Sequence, residues 1–109
     1  MTISTHVLDA SAGQPATNVG LALSFAGPSG DWMAVESGET DGDGRYRFGA
    51  ATEAGVYRLT FGTEAYFAAR GVAAFYPEVT ITFTVMDSGA HYHVPLLLSP
   101  FAYSTYRGS

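Results

Sequence analysis

Three histidines stand out in this sequence as residues that could activate water or bind a metal. His91 and His93 are two positions apart in a segment of β-forming residues, so on a strand their side chains would share one face. His6 lies in an apolar segment, between Thr5 and Val7. A neutral imidazole whose pKa is near neutrality is suited to general acid and base catalysis. The histidines therefore indicate catalysis by proton transfer or, as the competing interpretation, metal binding.

The histidines also have interpretations other than catalysis. His6 taken alone is typical of an edge histidine that hydrogen-bonds a neighbouring group. Together with His91 and His93 it could form a three-histidine metal site. Two histidines at this spacing are a weak signal for such a site when no carboxylate supports them. We therefore expect acid and base chemistry, and no metal.

Arg45 follows the loop 41–44, whose sequence DGDG would turn the chain into a short strand. The simplest interpretation of Arg45 is a surface pair with Asp41 or Asp43, worth ~0–1 kcal/mol. The loop also resembles part of a calcium-binding loop, but it lacks the downstream glutamate and the flanking helices of an EF-hand. We expect no calcium site here.

The last seven residues are unusual for a chain end, because they contain Tyr103, Tyr106 and Arg107. Chain ends usually fray and use small polar residues. We expect this segment to be held at an interface. The sequence contains neither the Gly-x-Ser-x-Gly elbow of a serine hydrolase nor a glycine-rich phosphate loop, so it favours neither of those functions.

The composition describes a small globular protein. The 109 residues are 47% hydrophobic and 14% charged, so we expect a single domain over 1–109 that hides some apolar surface by self-association. The net charge of -5 and the absence of lysine argue against binding to nucleic acid or to an anionic membrane. There is no cysteine, and the N-terminus resembles no signal peptide, so we expect a cytoplasmic protein without disulfides.

The spacing of glycine, proline and β-forming residues predicts a sandwich or small barrel of about eight strands. The strands are predicted at 3–8, 18–25, 32–36, 45–48, 55–61, 80–85, 91–98 and 103–107. In the strand 55–61, Tyr57, Leu59 and Phe61 should face the core. One helix is predicted at 63–70, with a cap at Thr63 and a stop at Gly71.

Several segments, taken in order, closely resemble the 5-hydroxyisourate hydrolases of the transthyretin-like family. They are THVLD at 5–9, GQPA at 13–16, DGR at 43–45, FYPEV at 75–79, HYHVPLLLSP at 91–100 and YRGS at 106–109. The first and third are weak signals alone, whereas the histidine-rich strand combined with the terminal YRGS is highly specific. The resemblance extends from residue 3 to residue 109.

The resemblance implies an all-β, transthyretin-like sandwich of two four-stranded sheets with one short helix. It implies assembly into a homotetramer, a dimer of dimers around a channel. It also implies an enzyme of urate degradation that hydrolyses 5-hydroxyisourate to 2-oxo-4-hydroxy-4-carboxy-5-ureidoimidazoline without a metal or other cofactor.

Matched motif by motif, the resemblance implies that His6, Arg45 and His93 are catalytic. The terminal residues that would line the site and bind the substrate are Tyr106, Arg107, Gly108 and Ser109. His91 lies in the same motif but receives no catalytic role.

These residue types suit the implied reaction. Opening a cyclic amide with water needs a base for the water, a donor for the leaving nitrogen and positive charge near the developing oxyanion. One of the two histidines, His93 or His6, would activate the water, and the other would orient the reactants or donate a proton. Arg45 would bind the substrate through its forked donors. The sequence leaves open which histidine is the base.

The competing function is that of a non-catalytic carrier. Vertebrate transthyretins carry hormones in the equivalent channel of the same fold, and a fold does not decide a function. The segments VLDA at 7–10, SP at 99–100 and YST at 103–105 also resemble them. Carrier transthyretins lack the set of two histidines and one arginine and the terminal YRGS, so we expect an enzyme.

Overall fold

The computed structural model describes residues 1–51 and 53–109, which form two β-sheets packed around one apolar core with a single short helix. The strands are β1 (Thr2–Asp9), β2 (Gln14–Pro15), β3 (Gly20–Ala26), β4 (Trp32–Glu39), β5 (Arg45–Phe48), β6 (Gly55–Phe61), β7 (Val79–Val85), β8 (His91–His93), β9 (Leu96–Leu98) and β10 (Tyr103–Thr105), and the helix is α1 (Thr63–Ala68). The all-β sandwich with one short helix is thus confirmed.

The first sheet is antiparallel and has the strand order β4-β3-β6-β7. On β6 the predicted core residues Tyr57, Leu59 and Phe61 are all buried. Leu59 lies opposite Leu23 of β3 and opposite Ile81 of β7, so a row of apolar side chains crosses three strands. Full burial of one such leucine stabilises the fold by about 1.5–3 kcal/mol.

The second sheet is built around β1, whose Ile3 and Val7 are fully buried in the core. β1 pairs antiparallel with β2 and β5 and parallel with β8 and β9, while β10 pairs with β9. The strand predicted over 91–98 is divided into β8 and β9, because Pro95 lies between them and has no backbone N–H to donate. This sheet therefore has six short segments where the resemblance implies four strands.

The other predicted bounds differ by a few residues at most. The ranges 45–48 and 55–61 are confirmed. The strand predicted over 32–36 extends to Glu39, and the strand predicted over 103–107 ends at Thr105.

The helix α1 departs from the predicted capping. Thr63 is the first helical residue rather than the cap, which is Gly62. Within residues 1–51 and 53–109 the buried Thr63 hydroxyl has no hydrogen-bond partner. The helix ends at Ala68, and Gly71 beyond it has the positive φ expected of a stop. The described residues include no helix that is long and apolar enough to cross a membrane.

A buried carboxylate fixes the end of β1 to the helix. Asp9 accepts hydrogen bonds from the backbone and hydroxyl of Ser11, from the Ala12 N–H and from the Tyr66 hydroxyl of α1. Burial would raise the pKa of the Asp9 carboxyl, but these hydrogen bonds lower it below its usual value. Burial and the bond to Asp9 together raise the pKa of Tyr66 to about 12. These bonds hold the C-terminal end of β1, the strand that also carries Ser4 and His6.

Candidate active site

The site is built on the face of the second sheet that points away from the core. Successive residues of β1 alternate in direction, so Ser4 and His6 both point to this outer face. The strand register places His6 opposite Arg45 of β5 and Ser4 opposite His93 of β8. Three segments that are distant in the sequence therefore bring two histidines and an arginine onto one surface.

A cavity of about 410 Å³ opens on this face. Its wall includes the side chains of Ser4, Arg45, Arg47, His91 and His93. The volume lies within the range of small-molecule sites in proteins. Two residues of the predicted trio, Arg45 and His93, thus share the wall of one cavity.

Arg45 is delivered to this wall by a tight turn. The Asp41 carboxylate accepts the backbone N–H groups of Asp43 and Arg45, which closes the loop onto itself. Gly44 has a φ of 76°, and a Cβ atom there would lie only 2.5 Å from the carbonyl oxygen of Val7, so the turn requires glycine. The interaction of Asp41 with Arg45 is therefore a backbone hydrogen bond that shapes the turn.

His6 is held by the same turn. Its Nε2 atom lies 2.9 Å from the carbonyl oxygen of Asp43. Because a carbonyl oxygen only accepts, the Nε2 atom of His6 is the donor and carries a proton. His6 lies beside Arg45 but outside the lining of the cavity.

His93 is half-buried, and its Nδ1 atom lies 2.8 Å from the Ser4 hydroxyl. Burial lowers the pKa of the His93 imidazole below its usual range, and the positive charges of Arg45 and the other two histidines lower it further. A hydrogen bond with the Ser4 backbone acts in the opposite direction. The lowered pKa favours the neutral imidazole, which is the form in which a histidine can accept a proton.

The C-terminal tail is tied to this histidine. The backbone N–H of Gly108 donates to the carbonyl oxygen of His93 at 2.8 Å, and the two residues form an isolated β-bridge. A Cβ atom on Gly108 would lie 2.5 Å from the His93 ring. Arg107 lies over the ring of Tyr92, with 4.6 Å from its guanidinium carbon to the ring centroid.

A second, smaller cavity of about 220 Å³ adjoins the tail. Tyr106, Arg107 and His93 all line it, so His93 belongs to the walls of both cavities. Ser109 is exposed beyond the β-bridge. The structure thus brings three of the four predicted tail residues to His93 and leaves the fourth at the surface.

Sequence reasoning assigned no role to several polar residues of the first cavity, among them Ser4 and Arg47. Ser4 lies two positions before His6 on the same strand, so strand periodicity could have identified it. Arg47 lies two positions after Arg45 by the same rule. His91, to which no role was assigned, lines the cavity and contacts both Ser4 and Thr2.

The three histidines considered from the sequence as a metal site are hydrogen-bonded to other groups of the protein in the structure. Among residues 1–51 and 53–109, no group of three or more His, Cys, Asp or Glu side chains is arranged so that it could hold a metal ion. His91 and His93 stack with 6.5 Å between their ring centroids, while His6 is bonded to the Asp43 carbonyl.

An all-β sandwich with one short helix and a parallel pairing between its first and penultimate strands is a transthyretin-like fold. Comparison with known proteins agrees. The model of the HIUase/Transthyretin family matches residues 3–108, and the chain belongs to this family.

Named relatives and solved structures extend this result. The chain is 44% identical to a 5-hydroxyisourate hydrolase of Mus musculus, over 98% of this chain and 94% of that protein. It resembles the solved structure of a Klebsiella pneumoniae 5-hydroxyisourate hydrolase with a TM-score of 0.87 and 40% identity, covering 100% of both chains. It also resembles sea bream transthyretin in complex with thyroxine, with a TM-score of 0.90 and 35% identity, over 97% of this chain and 93% of that one.

Proposed function

We propose that this chain is a 5-hydroxyisourate hydrolase that converts 5-hydroxyisourate to 2-oxo-4-hydroxy-4-carboxy-5-ureidoimidazoline in urate degradation. The observation that carries the proposal is the cavity in which the uncharged His93 and the cationic Arg45 share one wall. Relatives named for this activity cover nearly the whole chain. The proposal treats 1–109 as a single hydrolase domain, and the cytoplasmic location expected from the sequence stays a prediction.

In the proposed mechanism His93 is the general base. Its lowered pKa keeps the imidazole neutral, and it lines the cavity, whereas the Nε2 atom of His6 is engaged by the Asp43 carbonyl. Water loses a proton to His93 as its oxygen adds to the carbonyl carbon of the cyclic amide. Arg45 binds the substrate and stabilises the oxyanion that develops. The ring C–N bond then breaks, and the proton held by His93 passes to the leaving nitrogen.

His6 is proposed to orient the substrate or water from the edge of the cavity. It lies directly across the β1–β5 pair from Arg45, and the bond to Asp43 fixes its ring. All the groups in this mechanism belong to the chain itself, so no cofactor is required.

The carrier function shares the fold but not the chemistry of the wall. A carrier of an apolar hormone needs a largely apolar pocket with few polar groups. The wall of the 410 Å³ cavity instead combines two arginines, two histidines and hydroxyl groups. These charged and ionisable groups favour catalysis on a small polar substrate over hormone transport.

The proposed assembly is a homotetramer, a dimer of dimers, with sites completed between subunits. Large apolar side chains are exposed in the single chain: Phe75 and Phe101 are each 70% exposed, and Tyr106 is 59% exposed. Exposed aromatic side chains near one another are typical of surfaces that a protein partner covers. Phe75 and Phe101 belong to neighbouring segments, since the Phe75 N–H donates to the Pro100 carbonyl.

The test is to add the protein to freshly generated 5-hydroxyisourate and to follow the loss of ultraviolet absorbance against the spontaneous rate. We expect His6→Ala, Arg45→Ala and His93→Ala each to lower the catalysed rate by about 10²-fold or more. Arg58→Ala is the matched control, because Arg58 lies over Trp32 in the other sheet, and it should keep nearly the full rate. If the wild-type protein failed to accelerate the reaction, the proposed function would be wrong.

A further inference from the structure

A single hydroxyl group connects the two histidines of β8. The Ser4 Oγ atom lies 2.8 Å from Nδ1 of His93 and 3.1 Å from Nε2 of His91. The Nδ1 atom of His91 is in turn hydrogen-bonded to the Thr2 hydroxyl. Four side chains on two paired strands therefore form one hydrogen-bonded chain, from Thr2 through the exposed His91 and Ser4 to the half-buried His93.

The protons in this chain are interdependent. A serine hydroxyl has one proton to donate, so Ser4 can donate to only one of the two imidazoles. If it donates to Nε2 of His91, then Nδ1 of neutral His91 carries its proton and donates to Thr2. The Ser4 oxygen is then left to accept from Nδ1 of His93. The proton of neutral His93 lies in that case on Nδ1, and its Nε2 atom has a free lone pair.

We propose that Ser4 is a positioning residue that fixes His93 in the tautomer with the proton on Nδ1, and that His91 orients the Ser4 hydroxyl for this purpose. The proposal rests on the proposed function, in which His93 is the base. The nitrogen of a histidine that can act as a base is set by the hydrogen bond that the other nitrogen makes. The role of His91 is thereby indirect, through Ser4.

The backbone reinforces the contact between Ser4 and His93. The Ser4 carbonyl accepts the N–H of Val94, and Ser4 is the register partner of His93 in the parallel pair. The strand pairing therefore keeps the Ser4 and His93 side chains adjacent, and rotation about χ1 is the freedom left to the Ser4 hydroxyl. A threonine at position 4 would keep the hydroxyl, whereas an alanine would remove it.

The proton transfers balance in this arrangement. Nε2 of His93 takes the proton of the attacking water, and the hydroxide oxygen bonds to the amide carbon. The imidazolium keeps its proton on Nδ1 throughout, and this N–H continues to donate to the Ser4 oxygen. When the ring C–N bond breaks, the Nε2 proton passes to the leaving nitrogen, which returns His93 to its starting tautomer.

The experiment compares the wild type with Ser4→Ala and Ser4→Thr by two measurements. The first is the ¹⁵N chemical shift pattern of the imidazoles in the substrate-free protein above pH 7, which distinguishes the Nδ1–H and Nε2–H tautomers of His93. The second is the separate measurement of kcat and KM for 5-hydroxyisourate. We expect His93 to be Nδ1–H in the wild type and in Ser4→Thr, and to lose this preference in Ser4→Ala. The kcat of Ser4→Ala should fall about ten- to hundredfold, the effect of one hydrogen bond to a group that becomes charged, with little change in KM.

Ser24→Ala is the matched control, because Ser24 is a half-buried strand serine in the other sheet. It should leave both the ¹⁵N pattern and kcat unchanged. The proposal would be overturned by an Nε2–H tautomer in the wild type, or by a Ser4→Ala variant that keeps both the tautomer and kcat. The tautomer measurement needs no substrate, so it remains decisive even if the chain does not hydrolyse 5-hydroxyisourate.

Discussion

Replacing Gly108 with alanine would test how closely the tail controls His93, the proposed catalytic base. Gly108 is joined to His93 by the hydrogen bond from its N–H to the His93 carbonyl oxygen, at 2.8 Å. A Cβ atom at position 108 would lie 2.5 Å from Cδ2 of the His93 ring and 3.1 Å from its Cγ. The added methyl group would therefore overlap the imidazole directly.

The size of the effect follows from these distances. Ordinary contact begins at 3.4 Å, so the ring and the tail must separate by about 0.9 Å to accommodate the Cβ atom. The backbone hydrogen bond resists movement of the tail, and much of the displacement should fall on the ring. A misplacement of about 1 Å in a catalytic group can lower the rate by about 10²-fold. We expect the kcat of Gly108→Ala to fall between about 10- and 100-fold.

The assay is the loss of 5-hydroxyisourate absorbance, measured together with the melting temperature of each variant. Gly20→Ala is the matched control, since Gly20 is exposed in the other sheet and a Cβ atom there would meet nothing within 4 Å. The control should keep both its rate and its stability. A folded Gly108→Ala protein with the wild-type kcat would refute the inference that the tail positions His93.

Two further predictions concern the pH profile and the chain end. The pKa of His93 is lowered, and the proposed base is its neutral form, so kcat should be constant at neutral pH and fall only as the pH drops below the ordinary histidine value of 6.5. His91→Asn removes one of the neighbouring groups that lower the pKa of His93 and should move this fall in kcat to higher pH, whereas a fall that begins above pH 7 in the wild type would contradict the assignment. Deleting residues 107–109, or fusing a bulky tag after Ser109, should reduce activity strongly, because Arg107 and Gly108 contact Tyr92 and His93. The same tag before Met1 serves as the control, and sedimentation would distinguish loss of the site from loss of the proposed tetramer.

The alternation of apolar residues was enough to predict the core face of β6. In the strand 55–61 every second residue is apolar and buried, because a strand with one face on the core exposes the other. Pro95 in the sequence also signals the division of the strand 91–98. The sequence does not reveal that both halves pair with β1. Pairing between strands at opposite ends of a chain has no local signal.

The site was predictable only in part, for a related reason. Arg45 and His93 could be identified as residue types suited to the chemistry, but the cavity that joins them depends on the registers of β5 and β8 against β1. The capping at Thr63 was wrong, because Gly62 takes the cap position and the threonine side chain is packed into the interior. The requirement for glycine at position 108 depends on a close approach of two segments, which no spacing in the sequence reveals.

The parallel pairing of β1 with β8 and β9 has a consequence for synthesis of the protein. Ser4 and His93 are separated by 89 residues in the chain, yet they are hydrogen-bonded neighbours. Contacts of such high sequence separation form late and slow the folding of β-proteins, because a long loop must close before they contribute. During translation β1 is made before its partners and can pair early with β2 and β5, but its pairing with β8 and β9 has to await the synthesis of those strands. Chains released early would therefore lack the cavity altogether and would expose an edge that favours aggregation.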